Sequence, residues 1–230
     1  MKKAVALLSI CVALASTAYG SSREDLKARI DSATTVLDEI MGAQDHTIPS
    51  NILRQATCVA VVPGMLKGAF VVGASYGQGV VTCRTGKGWT GPVFIRMAGG
   101  SVGFQAGGQA TDLILVAVNS RGMQDLLKNK FKIGGDAAAA AGPVGRSGEA
   151  STDWKMGAEL LSYSRAKGLF AGIDLSGMSV SQNQADTQIF YGAPHRFDEI
   201  LEGNVSVPAD AEPFVRTVIK YFVAAKAAHQ

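Results

Sequence analysis

The run YSRAKGLFAGIDLSG from Tyr163 to Gly177 limits the possible folds most sharply. Tyr163, Arg165 and Lys167 alternate with small residues, and Leu169, Ala171, Ile173 and Leu175 then alternate with Phe170, Gly172, Asp174 and Ser176. Successive side chains of a strand point to opposite faces of a sheet. A period of two therefore specifies a half-buried strand or hairpin, with Gly168 as the bend or bulge between its basic and apolar halves.

The rest of the chain follows suit. Its 27 glycines and 7 prolines fit strands and tight turns better than a helical bundle, because glycine is costly inside a helix. Strands are predicted at Ala56 to Val62, closed by Pro63-Gly64, and at Ala69 to Ala74 and Gly79 to Cys83, separated by a turn at Tyr76-Gly77. Val93 to Met97, Gly103 to Gln105, Leu113 to Val118 and the alanine run Ala137 to Ala141 continue the series. Helical spacing marks Arg23 to Met41 after the capping Ser21 and Ser22, and also Asn119 to Leu127, Gln182 to Tyr191 and Pro208 to Ala228. The expectation is one α+β domain over residues 21–230. It is a largely antiparallel sheet or half-barrel, with an N-terminal amphipathic helix and a long C-terminal helix.

Met1-Lys2-Lys3, the apolar run Ala4 to Ala15 and the small residues around Ala18 and Gly20 read as a cleavable signal peptide over residues 1–20. The product is predicted to be periplasmic or secreted, with acylation at Cys11 as the alternative. Removing Lys2 and Lys3 lowers the formal charge from +3 to about +1, which argues against a nucleic-acid partner. Anion binding must then come from local patches. Cys58 and Cys83 survive cleavage, and export permits either a disulfide between adjacent strands or two buried thiols.

Candidate chemistry is sparse. Gly73-Ala-Ser75-Tyr-Gly77 and Gly99-Gly-Ser101-Val-Gly103 match the hydrolase elbow, yet neither serine leads from a strand into a helix. His195 is the one histidine in a structured context downstream of Ser101, so a serine hydrolase is a minor alternative. Gly86-Lys87-Gly88 lacks a phosphate loop's spacing, and no ligand set for a metal is spaced along the chain. No cofactor and no enzymatic activity are expected. The remaining candidates are basic residues beside apolar ones. Lys128, Lys130 and Lys132 flank Phe131, Arg165 and Lys167 sit two apart, and Arg146 ends a glycine-proline turn. Together these suit an anionic lipid headgroup. Arg146 and Arg165 have a second possible role, pairing internally with Asp112, Asp136 or Asp174.

YSRAKGLFAG resembles the SYLF domain family. So do AGPVGR from Ala141 to Arg146, Tyr191-Gly192, GMLKGAF at Gly64, GWTGP at Gly88 and QAGGQATDL at Gln105. The resemblance spans nearly all of residues 21–230. It implies non-enzymatic binding of anionic phospholipid, with phosphoinositide-like headgroups, at a membrane surface. It also implies membrane contact from the segment that opens the domain, which adds Lys27 to the candidates, and it brings in actin as a partner. Export departs from the cytosolic setting of eukaryotic members, which often carry SH3 or FYVE modules that are not expected in this sequence. A structural or protein-binding envelope role is the alternative.

Overall fold

The computed structural model describes residues 20–42, 48–69, 72–102, 107–145, 157–166 and 169–227. The helices are α1 (Arg23–Gly42), α2 (Ser50–Gln55), α3 (Ser120–Leu127), α4 (Gln184–Tyr191), α5 (Phe197–Leu201) and α6 (Glu212–Ala227). The strands are β1 (Cys58–Ala69), β2 (Val72–Thr85), β3 (Gly88–Trp89), β4 (Val93–Val102), β5 (Gly107–Ala117), β6 (Lys130–Lys132), β7 (Ala139–Ala141), β8 (Leu160–Ala166), β9 (Leu169–Gly172) and β10 (Ser179–Gln182). The sheet runs in the order β6-β10-β4-β2-β1-β5-β8-β7, with β3 on β2 and β9 on β8. All of its strand pairs are antiparallel except β7 with β8.

The connectivity forces the sheet to curl. β6 and β7 occupy opposite ends of the order, yet only residues 133–138 join them. A flat sheet of that order would hold its edges about 34 Å apart, since neighbouring strands lie about 4.8 Å apart. The link reaches at most about 24 Å. The result is a curled half-barrel of α+β class, with an N-terminal and a C-terminal helix.

The apolar runs CVAVV in β1 and LILVA in β5 are buried on both faces, which accounts for their lack of polar alternation. On the outer face, Val59, Val61, Val80, Ile114 and Val116 pack against Leu26, Ile30 and Leu37 of α1 and Phe214, Val218 and Phe222 of α6. On the inner face, Ala60, Val62, Val81, Ile95 and Leu115 meet Phe131, Val180, Leu126 of α3 and Phe197 and Ile200 of α5. Cys58 and Cys83 are register partners on this inner face and form a disulfide.

Helix α1 opens on a reciprocal cap. Ser22 Oγ accepts from the Asp25 amide at 3.1 Å, and Asp25 Oδ2 accepts from the Ser22 amide at 2.8 Å. The Ser22 hydrogen bonds hold the Asp25 carboxyl below the ordinary carboxylate range.

Several strand boundaries differ from those predicted. Pro63-Gly64 does not end β1. It forms a bulge between Val62 and Met65, with Gly64 at φ +56° and its amide donated to Asp112 Oδ1 at 2.9 Å. Tyr76-Gly77 is likewise no turn, because β2 runs through it unbroken. The Tyr163 to Gly177 region does form a hairpin of β8 and β9, although Gly168 and the predicted strand Gly103 to Gln105 lie outside the described residues. β8 stands one strand from the edge, and β1 is the element around which the sheet is built. Within the hairpin Phe170 is buried, stacked on Tyr163 with ring centroids 5.5 Å apart, while Leu169 is 76% exposed. Gly142 presses its backbone onto the Tyr163 ring, and a Cβ there would lie 2.1 Å from Cζ.

Candidate functional site

Helix α1 crosses the strands on the outer face rather than running along them. Arg29 stands over the Phe94 ring of β4 and bonds Gln78 of β2 at 2.6 Å and Asp186 of α4 at 2.8 Å. Ten residues later Glu39 reaches Arg165 of β8. The central strands continue past this crossing, and their outer face beyond it carries exposed apolar side chains.

Register partners in a sheet point to the same side. The pairs Lys132↔Ser179, Ser179↔Ala98, Ala98↔Tyr76, Tyr76↔Leu66 and Leu66↔Ala110 therefore make one outward row across β6, β10, β4, β2, β1 and β5. Leu66 is 61% and Tyr76 47% exposed. Further out, Gly100, Ala74, Gly68 and Gly108 form the next row, in which no side chain is larger than a methyl group. Toward α1, a shallow cavity of about 280 Å³ opens between Leu66, Tyr76, Arg29 and Ser32.

The row nearer α1 is polar: Lys130↔Ser181↔Arg96↔Gln78. Lys130, Lys132 and Arg96 are exposed, and among the described residues no carboxylate pairs with their side chains. Arg96 donates one nitrogen to Asn183 Oδ1 at 2.8 Å. Cationic side chains on β6 and β4 thus border an apolar surface on β2 and β1.

The other predicted residues are placed differently. Phe131 is 2% exposed and points to the inner face, so it does not accompany the lysines flanking it. Lys128 caps the C-terminus of α3 and pairs with the buried Asp125, a hydrogen bond that raises its pKa. Arg165 is held by Asp112 at 2.7 Å and by Glu39. Burial opposes its charge, but those carboxylates raise its pKa overall. It is an internal tie between α1, β5 and β8, the second of the roles open to it. Lys27 pairs with Asp31 at 3.0 Å on the exposed side of α1, whose apolar side is buried in the core. Arg146 and Lys167 lie outside the described residues. Leu66, Tyr76 and Arg96 were not anticipated.

The hydrolase geometry does not assemble around Ser101 and His195. His195 packs on Tyr191, whose hydroxyl donates to Pro92 O at 3.1 Å, at the opposite end of β4 from Ser101. At about 3.3 Å per residue the two ends stand about 30 Å apart. Among the described residues no cluster of His, Cys, Asp or Glu is arranged to hold a metal ion, and no helix is long and apolar enough to cross a membrane.

The family model described as "Las17-binding protein actin regulator", Ysc84, matches residues 98–221. Protein YSC84 of Saccharomyces cerevisiae is 31% identical over 201 residues, which is 83% of this chain and 42% of that protein. SH3 domain-containing YSC84-like protein 1 of Mus musculus is 31% identical over 195 residues, 82% of this chain and 57% of that protein. The chain thus spans about half the length of these relatives. The match begins inside β4, covers the basic edge from β6 to β10, and with the relatives extends over most of the sheet: the chain belongs to the Ysc84 (SYLF) family.

Proposed function

We propose that the protein binds anionic phospholipid at a membrane surface, without catalysis, through the outer face of the sheet beyond α1. One observation carries this reading. Exposed Leu66 and Tyr76 share a row of the sheet with Lys132, and Lys130 and Arg96 stand in the adjoining row on β6 and β4; no carboxylate among the described residues pairs with these three cations. Leucine and tyrosine side chains enter the interfacial layer, while each basic residue near an anionic surface contributes about 1 kcal/mol.

Sedimentation with acidic and with neutral vesicles tests it. Binding is expected only to acidic vesicles, weakening as salt rises. Charge reversal at Lys130 and Lys132 should reduce it at least tenfold, and Leu66→Glu with Tyr76→Glu should abolish it while the fold persists. Protein left in solution by acidic vesicles at low salt refutes the reading.

The family description favours a second reading, in which the same face takes a protein partner, such as actin or a Las17-like protein. Cosedimentation with actin filaments in the absence of lipid, lost in Leu66→Glu, would support it over the first. We further propose that the protein works outside the reducing cytosol, in the periplasm or secreted. The Cys58–Cys83 bond supports that placement, since such bonds persist in oxidising compartments. Recovery of the oxidised protein from the cytosolic fraction alone would contradict it.

A further inference from the structure

We infer that the outer side of β6, β10 and β4 forms a discrete site for a terminal phosphate, a phosphomonoester in preference to a phosphodiester. For a lipid source of that phosphate the inference rests on the membrane-surface reading. For the chemistry itself it rests on register and hydrogen bonding alone.

Lys130, Ser181 and Arg96 occupy one outward row on adjacent strands, and Lys132 with Ser179 occupies the next. Neighbouring strands are about 4.8 Å apart, so Lys130 and Arg96 flank Ser181 at about 10 Å from one another. Flexible lysine stems and an arginine fork close over that gap. The hydroxyls between them are free to donate outward. Ser181 Oγ has only a long 3.5 Å contact to Arg96 O.

Arg96 is not a loose surface arginine. Its guanidinium is anchored on Asn183 Oδ1, and Asn183 is 1% exposed, because that same oxygen caps α4 through the Asp186 amide. One edge of the fork is therefore fixed by a buried amide, and the remaining N–H groups are left for a ligand. Two acids stand near this row, and each is engaged elsewhere: Asp136 accepts the Lys132 backbone amide at 2.7 Å, and Asp186 accepts from Arg29 at 2.8 Å.

Ammonium groups at Lys130 and Lys132, an anchored guanidinium and serine hydroxyls exceed what a phosphodiester, with its single charge and two free oxygens, can satisfy. A terminal phosphate brings about −1.5 to −2 charge and three acceptor oxygens, which match this donor set. A bound phosphate would tie β6, β10 and β4 together at the sheet edge.

The test uses vesicles of phosphatidylcholine carrying either phosphatidic acid, a monoester, or phosphatidylglycerol, a diester, at matched surface potential. Glycerol 3-phosphate serves as a soluble probe followed by amide chemical shifts. Binding about tenfold tighter to phosphatidic acid is expected, the equivalent of one additional charge-assisted hydrogen bond. Arg96→Lys should erase that preference while retaining attraction to both vesicles. Lys130→Gln with Lys132→Gln should weaken both. Shifts at Ser179 and Ser181 with glycerol 3-phosphate, without any vesicle binding, would uphold the site for a soluble phosphoester and overturn the membrane reading. Preference for phosphatidic acid without a response to the soluble probe upholds the site with a lipid source. Equal binding to the two vesicles with no response to glycerol 3-phosphate overturns the site and leaves the membrane reading standing. Failure of both probes overturns both.

Discussion

Reduction of the Cys58–Cys83 disulfide is the perturbation whose size follows most directly from the chain. The bond joins residues 25 apart in sequence and is fully buried on the inner face. Closing a loop of that length removes about 12 cal/mol/K from the unfolded chain, or about 3.5 kcal/mol at 25 °C. Total stability for a domain is about 5–15 kcal/mol, so the bond is a large share of it. Oxidised protein should be compared by urea titration with protein reduced in denaturant and refolded under reductant, which keeps both sulfurs and the core volume. With an m-value of about 2.5 kcal/mol/M, the reduced form should unfold about 1.4 M earlier. A shift under about 0.3 M would refute the loop-closure reasoning. Two thiols titrating in denaturant without reductant would show that the bond itself does not form.

Further substitutions probe the packing and the bulge. Gly142→Ala drives a methyl into the buried Tyr163 ring and should cost about 3 kcal/mol in thermal unfolding, partly recovered by pairing it with Tyr163→Val. Asp112→Ala removes the acceptor of the Gly64 amide and the partner of Arg165 together; a loss of about 2 kcal/mol is expected, measured by denaturant midpoint. Burial pushes the Tyr163 hydroxyl well above its ordinary value of 10.0. Because the neutral form is the one favoured in the fold, stability is complete below pH 10 and falls by about 1.4 kcal/mol per pH unit as pH rises toward the folded-state value. The hydroxyl has no partner among the described residues. Tyr163→Phe should therefore be neutral or stabilising at pH 7 and flatten the alkaline slope in a pH series of melting curves.

Helices α1, α3, α4 and α6 were legible because their signals are local, whereas the five-residue α5 was too short to show a period. Ser22 with Asp25, Asn119 and Asn183 cap α1, α3 and α4, and the apolar stripes of α1 and α6 need no partner to be recognised. Strand ends are different. Proline lacks a donor and glycine accepts positive φ, so Pro63-Gly64 satisfies a turn and a bulge equally. Only pairing of β1 with β2 and β5 on both sides shows that the strand continues. The same holds for Tyr76-Gly77, which the long pairing of β2 with β4 keeps extended. The YSRAKGLFAG stretch was conspicuous as a motif, yet β8 has only the short strands β7 and β9 on its outer side.

The candidate site shows why alternation finds a cluster but not its neighbours. The period of two that places Lys130 and Lys132 on one side must send Phe131 to the other, and the curled sheet turns that other side inward. The apolar partners of the lysines had to come from other strands, along the register from Lys132 through Ser179, Ala98 and Tyr76 to Leu66. Counting from Val61, which faces outward, simple alternation turns Leu66 inward. The extra residue at Pro63-Gly64 reverses that phase, so that Met65 is buried inside and Leu66 emerges beside Tyr76. The exposed pair therefore depends on a bulge held by Asp112, on β5, and its cationic border on a pairing with β10, far downstream. Each of these relations is nonlocal, and no stretch of sequence contains the site by itself.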